Sequence, residues 1–179
     1  MKRERRMRKR LLCGDRDALR ALIERYYEPV LCYAARRLLD DDLGAEIAQE
    51  TFARFLENLP EYRSEQAFEG YLFAIARHLI ADHFRRKGPD LPGDEALACL
   101  PGAGSPSGDI ERGERSERVR RLLGTLPDVQ REAIVLRYYE NKKLTEIARL
   151  TGANLSTVKS RIRQGLRRMQ KALQEEGDP

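Results

Sequence analysis

This chain has no tryptophan, three cysteines, two histidines and no long apolar run. Each scarcity excludes something. Cys13, Cys32 and Cys99 are scattered, odd in number and free of CxxC or His-Cys spacing. They indicate neither a disulfide frame nor zinc, and read as ordinary reduced thiols. His78 and His83 stand five apart, so they share a helix face poorly, and Asp82 between them completes no ligand cluster. No metal and no cofactor is expected. There is no Gly-rich phosphate loop and no nucleophile motif, which leaves catalysis without residues to act through. No apolar stretch approaches the roughly 18 residues of a membrane span. The opening MKRERRMRKR holds seven Lys or Arg but lacks the apolar core of a signal peptide. A cytoplasmic protein without membrane insertion is expected.

What is abundant is charge. Charged residues make up 35% of the 179, with a net charge of +5. That length suits one or two small domains, and 41% hydrophobic residues suffice for modest helical cores. The charge is unevenly placed. Residues 1–87 carry +3, residues 88–113 carry −4 and residues 114–179 carry +6. Two basic blocks flank an acidic connector. Basic blocks favour a polyanion through counterion release.

Periodicity predicts helices throughout and requires no strand. The basic lead-in reads as a frayed end or a helix start, with a phosphate-binding arm as the alternative. Asp15 or Asp17 caps a helix with Leu19, Leu22, Ile23 and Tyr26 on one face. Pro29 is expected to break or kink it and to open a second helix carrying Val30, Leu31, Ala34 and Leu38. Asp40, Asp41 and Asp42 cap a third helix, which runs to about Asn58 with Ile47, Thr51, Phe52, Phe55 and Leu59 inward. A fourth spans about Ala67 to Lys87, with Phe68, Tyr71, Leu72, Ile75, Leu79 and Ile80 at helical spacing. Residues 1–87 thus form one domain. Residues 88–113, rich in Gly, Pro and Ser, read as a flexible linker. Residues 114–179 form a second domain, with helices expected at 114–124, 128–140, 144–151 and 155–174.

The most specific stretch is Leu144 to Met169, LTEIARLTGANLSTVKSRIRQGLRRM. It reads as a helix, a tight turn and a second helix. Ile147 and Leu150 face inward, and Gly152 ends the first helix in the left-handed conformation. Asn154 caps the next helix, and Val158 and Ile162 bury one stripe of it. Ser156, Thr157, Lys159, Ser160, Arg161, Arg163 and Gln164 are left for the other face, with Arg149 and Lys143 nearby. From Leu155 to Leu173 there are six Lys or Arg and no acid. This is the layout of a helix-turn-helix reader of the DNA major groove.

With these residues in view, the chain resembles the extracytoplasmic-function sigma factors of bacteria. AEIAQETFARFLENLPEY and FEGYLFAIARHLIADHFRRK resemble that family's core-binding and promoter-melting region. LPDVQREAIVLRYYENKKLTEIARLTGANLSTVKSRIRQGLRRM resembles its promoter-reading C-terminal domain. The resemblance covers roughly residues 15–87 and 114–173. It implies an all-α, two-domain promoter-specificity subunit, not an enzyme, with bacterial core RNA polymerase and promoter DNA as partners. It further implies an anti-sigma factor as inhibitor and a monomer when free. On the third helix it points to Glu46, Gln49, Glu50 and Arg54 as the polymerase contact. For the −10 element it points to Phe68, Tyr71, Arg77, His78, Asp82, Arg85 and Arg86. For the −35 element it points to the recognition-helix residues and Arg149. Tyr71 stands where the family commonly has Trp, and His78 where it commonly has Asn, so a different −10 preference is expected. A conventional helix-turn-helix repressor is the rival. It would leave residues 15–87 unexplained and would need a dimerisation or effector domain. A helical adaptor would lack the reading helix.

Overall fold

The computed structural model describes residues 2–62, 67–87 and 110–177. The chain divides into two compact units, Met1–Arg86 and Lys87–Pro179. Among the described residues every regular element is helical.

The first unit starts with α1 (Lys2–Leu12). The basic lead-in is therefore a helix, with Leu11 buried as its anchor. Gly14, at φ 73°, ends the turn that follows. The Asp15 carboxylate accepts from the backbone of Asp17 and Ala18 and caps α2 (Arg16–Leu38). Arg10 donates to the same carboxyl at 2.7 Å and, with those cap bonds, holds it below its usual range. Contrary to expectation, α2 does not break at Pro29. Leu22, Val30, Tyr33 and Ala34 form one buried stripe on both sides of the proline, and that packing holds the helix through it. Ile23 also departs from expectation, being exposed.

Leu39, left-handed at φ 59°, closes α2. Asp40 then caps α3 (Asp41–Glu57) by accepting from Leu43 N at 2.9 Å. The two helices form a tight hairpin. Ile47, Ala48, Thr51, Phe52 and Phe55 are buried, and the Thr51 hydroxyl is satisfied by Ile47 O. α4 (Phe68–Lys87) completes the core with Leu72, Phe73, Ala76, Leu79 and Ile80. The Phe73 ring meets Tyr33 edge-on at 5.1 Å.

The second unit contains α5 (Ile110–Gly124), α6 (Asp128–Ile134), α7 (Leu144–Thr151) and α8 (Leu155–Gly177). α5 begins four residues ahead of the expected Glu114, inside the stretch read as linker. The rest of that linker, 88–109, lies outside the described residues. The expected helix at 128–140 is also different: α6 gives way to a π-helical segment, Val135–Tyr139. Glu140 N bonds to Val135 O five residues back, and Asn141 takes a left-handed conformation. Buried Arg131 donates to Leu123 O in the last turn of α5 and to Leu126 O just beyond it. Leu123, Leu126, Ile134, Val135, Leu136, Ile147 and Val158 make up this core.

Candidate nucleic-acid interface

In the second unit the turn is built as its residues dictate. α7 opens with the Glu146 carboxylate accepting from Lys143 N at 2.7 Å. It ends at Gly152, φ 66°. Asn154 Oδ1 accepts from Thr157 N at 2.8 Å and from the Ser156 hydroxyl at 2.7 Å, which starts α8. Val158 and Ile162 are buried, while Leu150, expected inward, is half-buried. Ser156, Lys159, Arg163 and Gln164 are exposed on α8, and Arg149 on α7. Thr157, Ser160 and Arg161 are half-buried. Lys159 and Arg163, four apart, form an outward stripe.

A polar chain that the sequence did not reveal runs off this helix. Gln130 on α6 donates to Gln164 Oε1 at 3.1 Å, and Gln164 Nε2 donates to Ser160 Oγ at 3.1 Å. Gln164 is thus held by a buried glutamine, with its amide oriented before any ligand arrives. Gln130 Oε1 is itself buried without a hydrogen-bond partner. Behind this contact, Gly165 lets Ile134 approach α8. Nothing in the local sequence signals either pairing, because both join residues about thirty positions apart.

In the first unit the candidates on α4 separate into two sets. Phe68, a −10 candidate by resemblance and a core residue by its helical spacing, is packed in the core. It is 2% exposed, stacked on Tyr62 at 5.2 Å and edge-on to Phe55 at 5.5 Å. Its ring has no free face to offer, because it closes the core at the start of α4. Tyr71 is half-buried, 5.1 Å from Tyr62, and lies at the rim of this cluster. Tyr62, absent from the sequence-based candidates, is the hub. Burial, with minor help from Glu4, pushes its phenol up to about 12.

Further along α4, Tyr71, His78, Asp82 and Arg85 recur at spacings that keep one face. His78 is exposed, and its Nδ1 lies 2.7 Å from Ala74 O. A carbonyl only accepts, so Nδ1 carries the hydrogen and Nε2 points away from the helix backbone. Arg85 pairs with Asp82, and Arg86 is exposed beside it. Arg77 is half-buried and lies about 100° round the helix from His78. On α3, Glu46, Gln49 and Glu50 are exposed opposite the core stripe, and Glu50 accepts from half-buried Arg54 at 2.7 Å.

Among the described residues no group of His, Cys, Asp and Glu is arranged to hold a metal ion. No helix among them is long and apolar enough to cross a membrane.

Comparison with known proteins fits both units. Residues 22–89 match Sigma-70 region 2, and residues 116–169 match Sigma-70, region 4. The chain is 31% identical over 175 residues to the ECF RNA polymerase sigma factor SigW of Bacillus subtilis (strain 168). That alignment covers 90% of this chain and 92% of the relative. It is 28% identical to the RNA polymerase sigma factor YlaC of the same organism, over 82% of this chain and 87% of that one. In fold it is similar to the sigma factor RpoE solved in complex with the anti-sigma factor NepR from Bartonella quintana. There the TM-score is 0.70 at 19% identity, over 87% of this chain and 96% of the other. Two family regions in the right order, and a relative aligned over nearly its whole length, place this chain among the extracytoplasmic-function sigma factors, which direct promoter-specific transcription initiation by RNA polymerase.

Proposed function

We propose that α8 reads the −35 element, that the outer face of α4 holds opened −10 DNA, and that α3 docks on core polymerase. The observation that carries this is the outward stripe of α8. It is basic, free of acid through Leu173, and set on a turn fixed by Gly152 and Asn154. Such a helix presents side chains to base edges and phosphates at once. Lys159, Arg161 and Arg163 supply charge, and Ser156, Thr157, Ser160 and Gln164 supply hydrogen bonds. Arg149 holds a neighbouring phosphate.

On α4, an opened base costs a few kcal/mol to unstack, and an aromatic contact returns about 1–3 kcal/mol. With Phe68 buried, Tyr71 at the rim and His78 with its outward Nε2 are the groups left to do this. Arg77, Arg85 and Arg86 track the backbone, with Asp82 orienting Arg85. Glu46, Gln49, Glu50 and Arg54 form the polar polymerase-facing side of α3. In this reading residues 1–87 hold the −10 module and the second unit, from α5 onward, the −35 module, and the net negative charge of the sequence between them disfavours DNA. The protein works in the cytoplasm, is monomeric when free, and is inhibited by an anti-sigma factor. The structural relative in complex with NepR supports that last element.

The test is transcription in vitro with purified core polymerase and a pool of promoter fragments. Selective transcripts are expected that require polymerase and vanish with Arg161→Ala/Arg163→Ala. Tight duplex binding without polymerase, and no stimulation with it, would sink the reading in favour of a conventional repressor.

A further inference from the structure

Gln130 stands on α6 and is only 7% exposed. Gly165 lets it approach α8: a β-carbon there would lie 3.5 Å from Gln130 Cβ and closer still to Ile134. Packing alone does not call for a glutamine at this place. Its Oε1 is enclosed with no partner among the described residues, and a stranded acceptor lowers stability where methionine or leucine would fill the space. The hydrogen bond it makes runs to Gln164 Oε1 at 3.1 Å, and Gln164 is exposed on α8.

Burial sets the polarity of this pair. Turned over, the Gln130 amide would place its NH2 where Oε1 now sits, stranding a two-donor group in place of an oxygen. Gln130 therefore donates, and Gln164 Oε1 accepts. The Gln164 amide then donates through Nε2 to Ser160 Oγ at 3.1 Å. An amide offers two acceptor sites on oxygen and two N–H donors. With one of each taken, one acceptor and one donor remain, on the two ends of a held and exposed amide. In the major groove adenine presents the complement, its N7 acceptor beside its N6 donor. Guanine presents two acceptors there, thymine an acceptor and a methyl group, and cytosine a donor.

We propose that Gln130 is a positioning residue for promoter choice, which fixes the Gln164 amide so that α8 reads adenine at one position of the −35 element. The assignment rests on the reading of α8 as the −35 helix. Gln130 acts through Gln164 and is itself buried away from the groove-facing side.

The experiment uses the full chain in holoenzyme with core polymerase, and promoters carrying each of the four bases at each −35 position. Affinities are measured for the wild type, Gln164→Ala, Gln130→Met and the double variant. Methionine keeps the shape of Gln130 and removes both the donor and the stranded oxygen, so the urea midpoint is expected to hold or rise. The wild type is expected to favour adenine at one position by about 5- to 150-fold, and Gln164→Ala to abolish that preference. Gln130→Met is expected to shrink the same preference by about 2- to 12-fold, because the freed side chain must be ordered on binding. Preferences at other positions and the salt slope should not move. On the Gln164→Ala background Gln130→Met is expected to change nothing. Gln130→Leu, also apolar, is expected to behave alike and covers a misfit of methionine. A preference left intact by both variants, or a uniform weakening at all promoters, overturns the proposal and makes Gln130 a packing residue. A base other than adenine at the Gln164-dependent position overturns it too. Failure of the α8 reading looks different, since wild-type affinity would then be indifferent to every −35 position, and the proposal would fall with it.

Discussion

Gly44 and Gly165 are both buried where another segment passes too close for a β-carbon, yet the two contacts differ in kind. A β-carbon at Gly44 would lie 2.7 Å from Ala35 Cα and N, which is backbone of the facing helix. One at Gly165 would lie 2.6 Å from Ile134 Cδ1, the end of a side chain that has rotamers to use. Gly44→Ala is therefore expected to destabilise the first unit by about 1–3 kcal/mol, and Gly165→Ala to cost less than about 1.5 kcal/mol. Denaturant unfolding of the two variants checks the order, and equal losses would refute the distinction. Tyr62 gives a second expectation. Burial raises its phenol to about 12, above the ordinary value of 10.0. The folded state thus favours the neutral ring. Its stabilisation is complete below the unfolded value and is lost as pH rises from there through the folded value. At most about 3 kcal/mol is involved, from roughly 1.4 kcal/mol per unit. Tyr62→Phe should flatten the fall in stability between about pH 10 and about pH 12, read by urea titrations across that range. Gly152 and Asn154 were legible from sequence because a helix stop and a cap are local events. Gly44, Gly165, Tyr62 and Gln130 were not, because their roles exist only once distant segments meet.

At the scale of elements, Pro29 shows how packing overrides a local rule. A proline in a helix interior lacks the N–H that Arg25 O needs and costs about 3 kcal/mol against alanine. Local reasoning therefore ends a helix there. The helix continues because Leu22 before the proline and Val30, Tyr33 and Ala34 after it bury on one line. Pro29→Ala should restore the bond and remove the ring clash. It also loosens the unfolded chain, at a cost of about 0.4–1 kcal/mol. The net expectation is a gain of roughly 2 kcal/mol, seen as a raised melting temperature. A lowered one would mean that the ring itself packs in a way alanine cannot replace. The same logic covers the π-helical segment. Apolar spacing through 128–140 was readable, but the change of hydrogen-bond register at Val135 depends on how the chain must turn toward Lys142. α8 was legible to within a few residues, since Val158 and Ile162 mark its buried side and its charges mark the other. Phe68 and Tyr71 were ambiguous, because apolar spacing alone does not tell a core ring from one at a rim.

For the whole molecule, charge is the property that links both units to one partner. The two basic stretches sum to +3 and +6 around a connector at −4. Such a chain is drawn to DNA largely by counterion release, and promoter choice must come from a smaller set of base contacts. Lys159 and Arg163 share one stripe of α8 and carry the same charge, so they offer a direct comparison of the two effects. Lysine acts as a point charge, whereas the arginine fork matches two acceptors on a guanine edge. Lys159→Ala in holoenzyme is expected to weaken binding at all promoters alike and to make the salt slope shallower by about 0.9. Arg163→Ala is expected to cost about 1–3 kcal/mol at preferred promoters and less at others, compressing the ranking among them. Affinities for a panel of promoters at two salt concentrations separate the outcomes. If Arg163→Ala scaled every promoter equally, its guanidinium would belong with the phosphate contacts, and specificity would rest on the Gln130–Gln164–Ser160 chain.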